Sequence, residues 1–202
     1  MIMLLRTNKY CFYIILILFV LVVGCASLFP VTQNNKLSDI VLTRVKMSKY
    51  NIMIDYASKV PDNYQHQFEE GVVPQPYNIN SQIKNMYQEY FSLKSNQSSN
   101  IKIIVHLTID SFEITYQIEG GLGAQLSGMA NLERTAIIQL TVQIKMPDGT
   151  IHNQKVIGKG IHNLQNIDTK VDTWMQAYSL AINNAINKSI ITTDSFIDSL
   201  NI

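Results

Sequence analysis

The hydrophobic pattern divides the chain into one unbroken apolar run near its start and a set of alternating or helical segments after it. From Tyr10 to Val23 there is no charge, glycine or proline. After a polar stretch at 26–38, Ile40 to Met47 alternates weakly, with Val41, Val45 and Met47 in phase beside Thr43. Tyr50 to Tyr56 alternates more clearly through Ile52 and Ile54, and both segments predict strands. Ala57 to Asn78 carries Gly71, Pro61, Pro74 and Pro76 among polar residues and predicts a long loop, a place for a partner contact.

From Asn80 or Ser81 the spacing changes to that of a helix. Ile83, Met86, Tyr87, Tyr90 and Phe91 share one face, with Gln82, Lys84, Asn85 and Gln88 opposite, and the polar run 94–100 ends it. The strongest strand signal follows, with Ile101, Ile103, Val105, Leu107 and Ile109 in phase. The apolar positions then move to Phe112, Ile114 and Tyr116, so Asp110-Ser111 marks a bulge or a break between two strands.

A small-residue segment, 118–131, separates this from a further strand carrying Ala136, Ile138, Leu140, Val142, Ile144 and Met146. Its glycines lack the third position of a phosphate-cradling loop, and a strand follows where that loop needs a helix. Pro147-Asp148-Gly149-Thr150 predicts a turn, and Ile151 to His162, with Gly158 and Gly160, predicts an edge or bulged return strand. Thr169-Lys170-Val171-Asp172 opens a helix whose apolar stripe includes Trp174, Tyr178, Ile182 and Ile186, and a short second helix restarts at Thr192-Thr193-Asp194. The element order predicts an α+β domain, two helices packed on one face of a largely antiparallel sheet of about five or six strands.

The apolar run changes the picture of where this domain sits. Arg6 and Lys9 precede it and Val22-Val23-Gly24-Cys25 closes it, which is the build of a secretory signal. A cysteine directly after a small residue resembles a bacterial lipobox, cleaved between Gly24 and Cys25 and acylated on Cys25. That predicts a signal peptide at 1–24, a lipidated Cys25 with a flexible tether to residue 38, and a single domain at 39–202. A tether of that length spans roughly 20 Å as a random coil and lifts the domain clear of the lipid head groups. Ala26, in place of Asp, implies by the same resemblance transfer to the outer membrane, facing the periplasm. The competing reading is an uncleaved inner-membrane anchor, since the 17 residues from Tyr10 to Ala26 stand at the short limit of a spanning helix.

Composition narrows the classes of function. Hydrophobic residues make up 47% and charged residues 15%, the balance of a globular chain. Removal of 1–24 takes two of the 16 basic residues and no acid, leaving 14 against 15 and a net charge of −1. Nucleic acid is therefore not an expected partner, and an anionic membrane finds little overall charge to attract it. Cys11 leaves with the signal, so no cysteine remains to pair with Cys25 or to build a metal or thiol site.

Candidate chemistry is sparse. His66, His106, His152 and His162 lie outside ligand spacing of one another, Glu69-Glu70 falls in the proline-bearing loop, and Asp110 and Glu113 sit by the phase shift. No nucleophile elbow or Walker loop occurs. The sequence predicts no enzyme, no cofactor and no metal. Trp174, Met175 and Tyr178 read as core, with a binding groove as the alternative.

Residues 100–200 resemble the C-terminal half of the YajG-like outer-membrane lipoproteins. The likeness is carried by NIKIIVHLTIDSF, by the turn-linked pair around MPDGT, and by AINNAINKSI before TTDSFIDSL. Its architecture is shared with the lipopolysaccharide-assembly lipoprotein and with auxiliary lipoproteins of lipid-transport ABC systems. The resemblance implies a non-enzymatic accessory factor held at the bilayer by its acylated terminus and docked on an envelope protein. A lipid- or glycan-binding module is the alternative. An apolar cavity of a few hundred Å³ between the layers would mark the second, and a solid core with an exposed apolar patch the first.

Overall fold

The computed structural model describes residues 36–62, 78–120, 130–164 and 171–201, with the side chains of 171–175 outside that description. In chain order the elements are α1 (Asp39–Leu42), β1 (Asn51–Ser58), α2 (Ile79–Lys94), β2 (Lys102–Glu119), β3 (Asn131–Lys145), β4 (Ile151–Leu164) and α3 (Val171–Ser199). The strands form one sheet in the order β1-β2-β3-β4. β1 runs parallel to β2, while β2–β3 and β3–β4 are antiparallel. The helix α2 is the crossover that a parallel β1–β2 pair requires.

The sheet is smaller and more mixed than the hydrophobic pattern predicts. Two of the six expected strands are one: Ile109 pairs with Leu140 and Ser111 with Gln139, so Asp110 is the extra residue of a bulge inside a continuous β2. A third expected strand, 40–47, is replaced by the short helix α1 and an irregular segment. Ser38 caps α1, its Oγ accepting from the Val41 N–H, and Asp39 stands in the first turn. Only Val41 of the alternating set is fully buried, and Met47 is 73% exposed, so no sheet face rewards the alternation.

The terminal helix also differs. The sequence pattern ends its apolar stripe at Ile186 and restarts a short second helix at Thr192-Thr193-Asp194. The helix runs unbroken for 29 residues, about 43 Å at 1.5 Å per residue. The hydroxyls of Thr192 and Ser195 bond back to the carbonyls of Lys188 and Ile191. Ser189 and Thr193 both bond the buried Tyr87 phenol of α2, at 3.0 and 3.1 Å. Tertiary contacts hold the helix where the sequence pattern would end it.

Both long helices cover one face of the sheet. Ile83, Met86, Tyr87, Tyr90 and Phe91 of α2 and Ala181, Ile182, Ala185 and Ile186 of α3 are buried against Val105, Leu107, Ile138, Leu140 and Val142. Gln82, expected on the polar face of α2, is fully buried because it lies one turn from both Ile79 and Met86. β4 is the sheet edge, and its glycines answer to α3. A Cβ on Gly158 would lie 2.1 Å from the Ala185 carbonyl oxygen, and one on Gly160 2.0 Å from that of Ala181. The helix backbone rests directly on the strand there.

The β3–β4 turn forms as its residues predict. Met146 and Thr150 pair across it, Gly149 takes φ +87°, and the Thr150 N–H donates to Asp148 Oδ1.

Candidate functional site

Gly24 and Cys25, the residues singled out for cleavage and acylation, lie outside the described residues, as do His66, Glu69 and Glu70 and the side chain of Trp174. The described domain begins with the chain tied down. The Lys36 carbonyl accepts from Asn183 Nδ2 (3.1 Å), the Ser38 N–H donates to Asn187 Oδ1 (2.9 Å), and Leu37 is buried. The last residues of the expected tether are thus packed on α3. No helix of the described residues is long and apolar enough to cross a membrane.

The histidines stay apart. His106 is on the outer sheet face, paired with Asp55 Oδ2 at 2.8 Å across β1–β2, a bond that holds the Asp55 carboxyl below its ordinary range. His162 is half-buried on β4, and burial lowers its pKa. His152 opens β4 opposite Ile144. Among the described residues no three histidine, cysteine or acidic side chains are grouped to hold a metal ion.

Asp110 is the polar side chain that suits a bulge. It accepts from Lys59 Nζ and from Thr141 Oγ1, each at 2.6 Å. Burial opposes its ionisation, but the two donors and the charge of Lys59 prevail and hold the carboxyl below the usual range. Glu113 points to solvent. These groups staple strands and do not converge on a cleft.

Two buried charges were not foreseen. Lys94 is 1% exposed at the end of α2, and its Nζ meets Asp194 and Asp198 of α3, each at 2.5 Å. Burial, then the bond to Asp194, raise the neighbouring Tyr90 phenol. Arg134 occupies the inner face of β3, 1% exposed, with its guanidinium 4.9 Å from the centre of the Tyr116 ring. Burial lowers its pKa to about 10. Both lie in phase with the apolar positions around them: Lys94 follows Tyr90 by four, and Arg134 separates Leu132 from Ala136. A charge at a core phase was the available signal.

A recess of about 220 Å³ opens at the far end of the sheet, lined by Glu119, Asn131, Leu132, Glu133, Asn163 and Leu164. Its lining is about equally polar and apolar and comes from β2, β3 and β4, with no helix residue in it.

The outer sheet face is the remaining surface of note. No helix of the described residues covers it, and Thr108–Thr141 and Thr115–Thr135 pair across it. Along β4 it exposes Ile151, Ile157 (59%) and Ile161, with Lys155 and Lys159 on either side of Ile157. Those lysines protect a sheet edge against indiscriminate pairing. Asn184 of α3 also reaches over that edge, its Nδ2 donating to the Ile161 carbonyl at 3.2 Å.

No protein-family model matches this chain, and no curated protein does. Among solved structures it is similar to a minor lipoprotein from Acinetobacter baumannii, with 13% identity and a TM-score of 0.40, covering 77% of this chain and 96% of the other. It is also similar to the rare lipoprotein B from Shewanella oneidensis, with 11% identity and a TM-score of 0.43, covering 75% and 96%.

Proposed function

We propose that the chain is a non-enzymatic lipoprotein of the bacterial envelope, acylated on Cys25 after cleavage at Gly24, that docks on a protein of an outer-membrane assembly or transport complex. The observation that carries the docking half is a sheet with one face filled by helices and the other open. Its exposed isoleucines, 151, 157 and 161, stand on an edge strand. The anchoring half is supported by the basic start, the apolar run and the Gly24-Cys25 junction. Ala26 supports the outer membrane as destination, and the YajG-like resemblance of residues 100–200 supports the same class without adding an activity.

A lipid carrier would need an apolar chamber between the layers. The recess at Glu119 and Glu133 is lined about equally by polar and apolar groups, and its volume of about 220 Å³ is below the roughly 300 Å³ at which ligand sites begin. The open sheet face with its exposed isoleucines favours the docking reading over the lipid- or glycan-binding one.

The test places a photo-crosslinking residue at Ile157 in the acylated protein and compares it with Ile157→Lys/Ile161→Lys. One defined envelope protein should crosslink at position 157. The lysine pair, at exposed positions, should abolish its co-purification while leaving the circular dichroism unchanged. Equal recovery of the partner with the lysine pair would refute docking through this face.

A further inference from the structure

The segment that leaves the expected tether is both basic and apolar on its exposed side. From Lys36 to Tyr50 it crosses the helix layer, fixed at one end to α3 through Lys36 and Ser38 and at the other to the end of α2, where the Ser48 N–H donates to the Lys94 carbonyl. Leu37 and Val41 anchor it in the core. Its outward side chains are Ile40 (66% exposed), Leu42 and Met47 (73%), interleaved with Arg44, Lys46 and Lys49. With Lys36 there are four basic residues against one acid, Asp39, for a local charge of +3 on a mature chain whose other residues sum to −4. The neighbouring acids of α3, Asp194 and Asp198, are engaged by Lys94.

We propose that this strap, 36–50, is the face the protein lays on the bilayer, with Arg44, Lys46 and Lys49 on anionic lipid head groups and Ile40, Leu42 and Met47 in the head-group boundary. The proposal rests on acylation of Cys25. Ten residues, 26–35, separate that cysteine from Lys36. Even fully extended they hold Lys36 within about 40 Å of the lipid, less than the length of α3. The strap is the first part of the domain the anchor brings down, so on this proposal the domain rests on the head groups and the tether does not lift it clear of them. Basic side chains mixed with exposed apolar ones are the composition that binds an anionic interface. β4 carries a smaller mixture of the same kind, Ile157 and Ile161 beside Lys155 and Lys159, but only the strap adjoins the anchor. Because the strap crosses the helices on the side away from the sheet, this placement turns the outer sheet face, with Ile157, toward the periplasm and a partner.

The test uses the acylated chain carrying Met47→Cys, whose thiol is free once Cys11 has left and Cys25 is acylated. It is labelled with an environment-sensitive fluorophore and reconstituted in protein-free vesicles of phosphatidylethanolamine and phosphatidylglycerol. Palmitate incorporation and flotation are read in the same preparations. The label should shift to the blue and be shielded several-fold from aqueous iodide, and less so in phosphatidylcholine or at high salt. A label at Ile157→Cys should stay accessible. Each basic residue is worth about a fivefold change in partition at an anionic surface. Arg44→Gln/Lys46→Gln/Lys49→Gln, all at exposed positions, should therefore return the Met47→Cys label to its accessibility in detergent. An acylated, floating protein whose Met47→Cys label stays fully accessible would overturn the proposal. So would shielding at Ile157→Cys instead, or shielding seen only in native membranes, which would assign the strap to a protein. Loss of palmitate and flotation would overturn the anchor reading itself.

Discussion

Substituting Gly160 by alanine sets two effects of opposite sign against each other at one atom. Neither Gly158 nor Gly160 has a positive φ, so alanine fits the backbone and the unfolded chain loses freedom, a gain of about 0.4–1 kcal/mol. The new Cβ, however, falls 2.0 Å from the Ala181 carbonyl oxygen and 2.3 Å from the Ala185 nitrogen. Both are helix backbone and cannot rotate away. Relief requires lifting α3 from β4 by more than 1 Å, since unstrained heavy-atom contacts lie near 3.5 Å. A gap of 0.5–1 Å already forfeits about a quarter to a half of each neighbouring contact's attraction. The net loss therefore belongs at the upper end of the overpacking range, about 3 kcal/mol. That is a large share of the roughly 5–15 kcal/mol that holds a domain folded. Urea unfolding followed by circular dichroism should show the midpoint falling with an unchanged slope, and Gly158→Ala/Gly160→Ala should leave little folded protein. A Gly160→Ala protein as stable as wild type, or more so, would refute the direct seating of α3 on β4.

Other consequences follow from the buried charges and the titrating groups. Lys94→Met leaves Asp194 buried without its partner and should cost about 3–5 kcal/mol in the same assay. Lys94→Met/Asp194→Leu should recover most of that, because the exposed Asp198 returns to water. Tyr87→Phe removes the phenol that joins Ser189 and Thr193 of α3 and should cost about 1–3 kcal/mol. His162 has a folded pKa below its unfolded value of 6.5, so its contribution is fully present above that pH. It should be lost as pH falls from 6.5 through the folded value, and His162→Gln should remove that slope. Asp110, also depressed, should lend stability above its ordinary 3.8 that disappears in more acid solution, and Asp110→Asn should flatten that limb.

Much of the fold was legible where a local pattern and a tertiary contact demand the same thing. The phase change at Asp110-Ser111 is a bulge because every inward residue on both sides of it has a core position to fill, and Lys59 and Thr141 reward the displaced carboxylate. Pro147 to Thr150 is a turn by its own chemistry. The pattern misled where two structures share one periodicity. Over 40–47 an alternation of eight residues competes with a Ser38 cap, and the only deep burial is Val41. At Thr192-Thr193-Asp194, read as the restart of a second helix, Thr193 and Asp194 are the residues that hold α3 to Tyr87 and Lys94. The parallel pairing of β1 with β2 depends on where α2 returns the chain, which no local period records. Of the expected site, Cys25 is defined by spacing alone, while the strap at 36–50 becomes visible only once Leu37 and Val41 are known to be buried and Met47 is not.

The central claim is that Cys25 carries the lipid that holds this domain at its membrane. Metabolic labelling with palmitate, comparing the wild-type chain with Cys25→Ala, tests it most directly. The account predicts label on the wild-type protein, in the outer-membrane fraction, and none on Cys25→Ala. Equal label on both proteins would contradict it.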